Sequence, residues 1–307
     1  MVTTVCMNPA FDKTALVKHL ECGAVNRLES IRYDVGGKGL NVAIVLTRLG
    51  AEAHCVGCAG EEDAEAFGAL LAREGIFFRS FVLPGKIRTN LKVLNKEDGV
   101  VTEFNEPGLI MTEAQQEAFF SFLQTKAKKS QYIIFSGSMP QGCPASLYQQ
   151  YIGKLKNHKC ILDASGEALL LGLQSKPFMV KPNLPELEAL VGEKLQSLLS
   201  IRDAALSLIR LGAQNVVVSL GKDGAILTDG AQSFFSPALP VASHSTVGAG
   251  DAMLGGILKG LEAGESLTES FRFGVAAGAA SVMTEGTQLV YSDDFEQLLP
   301  DVVLEKL

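Results

Sequence analysis

Ser245-Thr246-Val247-Gly248-Ala249-Gly250-Asp251 places two glycines around one small residue, an acid directly after them, and an apolar stretch after the acid. Leu254, Ile257, Leu258 and Leu261 follow at i, i+3, i+4 and i+7, which predicts a helix. Gly248, Ala249 and Gly250 then lie at its N-terminus. Unpaired backbone N–H groups there attract phosphate oxygens, and small residues let a ligand approach the backbone. Asp251 has two readings. It is either a first-turn acid that complements the helix dipole, or a carboxylate separated from a bound phosphate by a metal or a substrate hydroxyl. The stretch by itself leaves both open.

Outward from this turn, continuous apolar runs recur at Val2–Met7, His54–Ala59, Tyr132–Phe135, Cys160–Asp163, Phe178–Lys181, Val216–Ser219 and Ala225–Thr228. Unbroken runs of this length suit strands buried on both faces. Helical patterns lie between many of them. Val42, Val45, Leu46 and Leu49 form one helix face before Gly50, and Ala64–Glu74, Thr112–Lys129, Pro144–Lys156, Pro185–Val191 and Ile201–Leu211 also read as helices. Such alternation predicts an α/β fold with a mostly parallel central sheet and helices on both sides. Two segments break the pattern, Phe11–Tyr33 and Lys86–Asn105. They hold short strand-like pieces and a Glu97-Asp98-Gly99 turn. The expected organisation is a core of residues 1–10, 34–85 and 106–307, with residues 11–33 and 86–105 folding together as a small β lid.

The chain has 307 residues, 47% hydrophobic and 20% charged, so it can bury a large core. Its net charge of −7 disfavours nucleic acid as a partner. No apolar run is long enough to span a bilayer, and Met1-Val2-Thr3-Thr4-Val5 lacks the basic-then-apolar order of a signal peptide. The expectation is a cytoplasmic protein with no membrane partner. Cys55-Val56-Gly57-Cys58 has metal or redox spacing with His54 beside it. No second pair follows, and a buried strand with reduced, inert thiols is the simpler reading.

Gly36-Gly37-Lys38-Gly39-Leu40-Asn41 is a second glycine-rich turn before a helix. It is not a P-loop, because Arg32 and Gly39 occupy positions where glycine and Ser or Thr are required. Neither turn completes the dinucleotide pattern, which disfavours a dehydrogenase. Lys181-Pro182-Asn183-Leu184-Pro185-Glu186 follows a strand and opens a helix. Ser219-Leu220-Gly221-Lys222-Asp223-Gly224 joins two strands. Each has an ordinary structural reading, as a cap or a hairpin loop, beside a phosphate-binding one.

In this order the pieces resemble the ribokinase-like carbohydrate kinases of the PfkB family, over nearly the whole chain. Residues 36–43 match the family's N-terminal signature and residues 245–251 its C-terminal one. Met7-Asn8-Pro9-Ala10-Phe11-Asp12, Val25-Asn26-Arg27, Arg88-Thr89-Asn90, Asn105-Glu106-Pro107-Gly108 and Ser165-Gly166-Glu167-Ala168-Leu169 are most similar to its 1-phosphofructokinase branch, with tagatose-6-phosphate kinases close by.

The resemblance implies a three-layer αβα core with a β lid, and ATP-dependent phosphorylation of the 6-hydroxyl of fructose 1-phosphate. It implies Asp251 as the base and Gly248, Ala249 and Gly250 as the backbone cradle for the transferred phosphoryl group. Asp12, Gly37 and Asn41 would bind the sugar, and Arg27, Lys38 and Arg88 would bind its phosphate. Lys181, Asn183, Ser219, Gly221 and Gly224 would contact ATP, and Glu186 would hold magnesium through water. A homodimer through the lid is expected. Ser245-Thr246 replaces the Asp-Thr found in many members, in a region that helps form a monovalent-cation site in ribokinase-type relatives, so potassium activation stays open. The competing substrates are tagatose 6-phosphate and fructose 6-phosphate. A non-catalytic sugar-phosphate sensor is the alternative of another class, but a sensor has no need of a base at Asp251.

Overall fold

Three consecutive valines, Val216 to Val218, are completely buried, as expected of a strand covered on both faces. They form β11 (Val216–Ser219) within a ten-stranded sheet. Seven of its strands are parallel: β1 (Val2–Cys6), β4 (Ala53–Gly60), β5 (Phe78–Leu83), β8 (Tyr132–Ser136), β9 (Lys159–Asp163), β10 (Met179–Val180) and β11. The antiparallel strands β12 (Ala225–Thr228), β13 (Ser233–Ser236) and β14 (Glu305–Lys306) complete one edge. The order is β14-β13-β12-β11-β10-β9-β8-β1-β4-β5. This computed structural model describes residues 1–284 and 288–307.

Helices cover both faces. On one side lie α1 (Lys38–Arg48), α2 (Ala64–Arg73), α8 (Ala249–Glu262), α9 (Leu267–Val282) and α10 (Ser292–Leu298), around Leu40, Leu46, Leu254, Ile257 and Phe271. On the other lie α3 (Glu113–Ala127), α4 (Leu147–Lys154), α5 (Gly166–Leu173), α6 (Leu184–Val191) and α7 (Leu198–Leu211), around Phe119, Phe135, Tyr148 and Leu208. The result is the predicted three-layer α/β architecture. The apolar run Phe178–Lys181 yields only the two residues of β10, which leaves Lys181 just beyond the strand end.

A separate four-stranded sheet has the order β3-β2-β6-β7, from β2 (Ala10–Val17), β3 (Leu28–Gly36), β6 (Arg88–Asn95) and β7 (Val101–Asn105). The two segments that break the helical alternation thus pair with each other. β2 leaves the carboxyl end of β1 and runs parallel to β6, with Asp12 opposite Asn90 and Thr14 opposite Lys92. At its base Phe11 packs edge-on to Phe67 of α2, 5.2 Å between ring centres. The small sheet is therefore anchored beside the carboxyl ends of the parallel strands, where open α/β sheets bind ligands.

Candidate active site

Gly248 begins α8 with φ 81°, a left-handed conformation that glycine adopts without strain. A Cβ there would also stand 2.6 Å from Leu289 Cδ2. The N–H groups of Gly248, Gly250 and Asp251 have no backbone acceptor among the described residues, and Ala249 N–H makes only a 3.4 Å bond to Thr246 O. These donors open at the positive end of the helix dipole, so the turn has the physical makings of an anion hole. Ser245 Oγ accepts from Val247 N–H at 3.3 Å and braces the turn from upstream.

Asp251 lies in the first turn of α8 and is only 6% exposed. Asn41 Nδ2 donates to its Oδ2 at 2.7 Å. Asn41 sits one turn into α1, whose N-cap Gly37 has φ 114° and has no room for a Cβ beside Cys6 Sγ, 2.7 Å away. One hydrogen bond therefore joins two glycine turns 210 residues apart in sequence.

The site contains a charge that sequence reasoning missed. Asp163 ends β9 and is 1% exposed. It accepts from Ser136 Oγ at 2.8 Å and lies 3.4 Å from Lys181 Nζ and 3.6 Å from Lys38 Nζ. A readable signal was present, an acid directly after the buried apolar run Cys160-Ile161-Leu162 of a parallel strand. Burial alone would raise the Asp163 carboxyl, but Lys181, Lys38 and the Ser136 hydroxyl together hold it below its usual value. Asp251 goes the other way. Burial first, and then the neighbouring Asp163 charge, push it up to about 6, against the pull of Lys38, Asn41 and Lys181. Lys38 is raised, chiefly by Asp163. Two carboxylates and two ammonium groups thus share one small volume beside the anion hole. Lys181 Nζ lies 3.1 Å from where a Cβ on Gly250 would be, directly against the helix start.

The three cations expected at the sugar phosphate, Arg27, Lys38 and Arg88, differ in their surroundings. Lys38 turns to Asp163. Arg88 donates to Asn8 O at 3.2 Å and to Glu106 O at 3.5 Å and has no carboxylate partner among the described residues, so no acid offsets its charge. Arg27 is exposed in the β2–β3 connection at the outer end of the small sheet. Asp12 is buried, accepts from Asn90 Nδ2 at 2.9 Å, and pairs with Lys92 Nζ at 2.7 Å. Six buried side-chain polar atoms lack a partner among the described residues. Four of them, Asn8 Oδ1, Thr14 Oγ1, Arg88 Nε and Asn90 Oδ1, lie along β2, β6 and the end of β1. Unpaired buried polar atoms are costly, and their concentration in one place marks a surface shaped for a polar ligand.

On the other side of Asp163, Asn183 and Glu186 form a capping box at the start of α6, with Glu186 Oε2 accepting from Asn183 N–H at 2.9 Å. Ser219 bridges to Asn183. Gly221 has φ 60° with open space around it, so a ligand can lie close to it. Gly224 has φ 109°, and a Cβ there would collide with the backbone of Ser236, so this glycine also serves packing. Among the described residues, no three His, Cys, Asp or Glu side chains are grouped to hold a metal ion. Glu186 has one oxygen outside its capping bond, which suits a hydrated magnesium carried mainly by phosphates. Cys55 and Cys58 are free and fully buried, with thiols pushed well above their usual value by burial. His54 meets Thr3 Oγ1 at 3.1 Å, so the CxxC spacing belongs to the core.

Residues 6–294 match the model of the pfkB family carbohydrate kinases. The chain is 35% identical over 283 residues to the 1-phosphofructokinase of Escherichia coli strain K12, covering 92% of this chain and 90% of that one. It is also 35% identical to the 1-phosphofructokinase of Rhodobacter capsulatus, over 100% and 98% of the two chains. The structure of Escherichia coli phosphofructokinase-2 in complex with fructose-6-phosphate superposes with a TM-score of 0.90 at 31% identity, over 98% of each chain.

Proposed function

The chain belongs to the pfkB family of carbohydrate kinases and is a sugar-phosphate kinase, and from that premise we propose that it transfers the γ-phosphoryl group of ATP to the 6-hydroxyl of fructose 1-phosphate, giving fructose 1,6-bisphosphate. The observation that carries the reading is the buried Asp251 carboxylate, tied by Asn41 to the first glycine turn and set beside unpaired N–H groups and Lys181. A sugar hydroxyl between carboxylate and phosphate accounts for an acid at an anion hole.

In this mechanism Asp251 accepts the proton of the 6-hydroxyl as O6 forms its bond to the γ-phosphorus and the bond to the β,γ-bridging oxygen breaks. ADP leaves with that oxygen. Phosphoryl transfer has a loose transition state, so positioning and charge supply most of the rate. The N–H groups of Gly248, Ala249 and Gly250 face the migrating charge, with Lys181 beside them. Magnesium, when bound with ATP, neutralises charge on the β- and γ-phosphates, and Glu186 would hold it through water. Asp163 holds both lysines in place. Asp12 and Asn41 bind sugar hydroxyls, Gly37 leaves room for the ring, and Arg88 takes the sugar's own phosphate with its guanidinium. Asn183, Ser219, Gly221 and Gly224 line the nucleotide side.

The core is residues 1–10, 34–85 and 106–307, joined at Ala10 and Gly36 to the small sheet, and residues 11–33 and 86–105 act as a lid whose closure excludes water as a competing acceptor. Leu28, Ile31, Tyr33 and Phe104 stand exposed on the sheet face opposite Asp12, and a second copy of this chain covers them in a homodimer.

Fructose 6-phosphate is the second reading, favoured by the similarity to the phosphofructokinase-2 complex, because a ketohexose carries primary oxygens at both ends. ADP release with fructose 1-phosphate, fructose 6-phosphate, tagatose 6-phosphate and unphosphorylated sugars tests the assignment. The highest kcat/KM is expected with fructose 1-phosphate, and a higher value with any other sugar overturns it.

A further inference from the structure

Lys92 lies inside β6 and is only 7% exposed. Its ammonium is 2.7 Å from Asp12 Oδ2, and Asn90 Nδ2 donates to Asp12 Oδ1 at 2.9 Å. The register places Asp12 opposite Asn90 and Thr14 opposite Lys92, so these four side chains share one face of the small sheet. Two of the four carry orphaned atoms, Thr14 Oγ1 and Asn90 Oδ1. A Cβ on Gly36 would collide with the Asp12 carboxylate, which therefore lies directly against the first glycine turn.

Burying an ion pair gives little net stability, because desolvation offsets the attraction. A pair placed beside unsatisfied polar atoms at a ligand surface calls for another explanation. An ionised carboxylate offers about four lone-pair positions, and Lys92 and Asn90 occupy two. The remaining positions, with Thr14 Oγ1 and Asn90 Oδ1, present a fixed set of acceptors to hydroxyl donors. Charge matters equally. A sugar phosphate carries about two negative charges, and a lone Asp12 carboxylate in a buried site would repel it. Lys92 cancels that repulsion and leaves Asp12 free to accept.

We infer that Lys92 is a positioning residue for sugar recognition, which fixes Asp12 as a charge-compensated acceptor, and that Thr14 and Asn90 complete the hydroxyl-binding face. The inference rests on the sugar-phosphate kinase reading above. Steady-state kinetics of Lys92→Met, Asp12→Asn and the double variant test it. Lys92→Met should raise KM for the sugar phosphate about tenfold or more, with kcat and the KM for ATP nearly unchanged, the pattern of lost uniform binding. Because Lys92 acts through Asp12, the double variant should be no worse than Asp12→Asn alone. An unchanged sugar KM overturns the inference, as do losses that add in the double variant or that appear equally in both KM values. If Lys92→Met does not fold, Lys92→Gln keeps a donor toward Asp12. It should raise the sugar KM severalfold, and no change there likewise overturns the role. Absence of turnover by the unaltered enzyme with every sugar phosphate would instead defeat the kinase reading.

Discussion

Asp251 carries an internal conflict with measurable consequences. Burial and the charge of Asp163 raise its carboxyl to about 6, so the ionised base is disfavoured in the fold that needs it. As pH falls through about 6, Asp251 takes up a proton and can no longer accept one from substrate. A plot of log kcat/KM against pH should therefore bend to unit slope below about 6, and a flat profile down to pH 5 would remove Asp251 as the base. Stability has the opposite dependence. A carboxyl raised in the folded state contributes stability that is fully present below its unfolded value and is lost as pH rises through the folded one. At neutral pH the unaltered enzyme lacks that contribution. Asp251→Asn should lower turnover by at least about a hundredfold, the scale of general-base catalysis, with sugar and ATP binding near normal. It should also raise Tm by a few degrees at pH 7.5, with the gap closing below pH 4. Asp163, held below its usual value, has the reverse sign and loses its stabilising contribution as acid protonates it. Arg88 makes a different kind of contact. Its guanidinium meets only backbone carbonyls and has no acid partner among the described residues, so Arg88→Lys should raise the sugar-phosphate KM about tenfold through loss of bidentate geometry, and leave the KM for ATP unchanged.

Elements differ in how clearly the sequence announces them, and α8 and α9 are the two extremes. Large apolar residues at helical spacing made α8 and α1 readable, and the glycines before them marked their starts. Helix α9, packed against α8, went unread. Its contact face is Gly274, Ala277 and Gly278 rather than large side chains, so no apolar stripe stands out. Those small residues exist because the two helices touch. A Cβ on Gly256 would strike the backbone of Phe273, and one on Gly260 would meet Ser270. The edge strand β5 was missed because its burial is mixed. Asp251 was legible because it adjoins glycines, whereas Lys92 was not. A lysine in an alternating strand reads as solvent-facing until its partner on another strand is known. Glycines themselves divide by role, which mutation can expose. Ala at position 250 favours helix by about 0.5–1 kcal/mol over glycine, yet its methyl would stand 3.1 Å from Lys181 Nζ in the anion hole. Gly250→Ala should keep or raise Tm while lowering kcat at least about tenfold. Gly224→Ala should instead lower Tm markedly, because its methyl meets the backbone of β13 at a left-handed φ of 109°. Equal loss of Tm in both variants would contradict this division.

At the scale of the whole molecule, the position of Arg27 is informative. Asp12 and Val17 lie on the same strand, about 16 Å apart at 3.3 Å per residue, and Val17 pairs with Leu28 beside Arg27. Arg27 therefore lies at the far end of the small sheet from its own chain's Asp12. In the proposed homodimer, the exposed apolar face carrying Ile31, Tyr33 and Phe104 meets its copy. We propose that the exposed Arg27 serves the sugar phosphate of the partner there. Ile31→Glu should shift sedimentation from dimer to monomer and raise the sugar KM together with it. Complementation gives the sharper measurement. Arg27→Ala lacks only the donated arginine, and Asp251→Asn lacks only the base. When the two variants are mixed and allowed to exchange subunits, half of the dimers are mixed, and each mixed dimer holds one site with its own Asp251 and the other chain's Arg27. Activity should rise to about a quarter of the unaltered enzyme's, as a two-fold interface requires. If mixing gives only the mean of the two separate variants, Arg27 acts within its own chain or not at all, and the shared site is excluded.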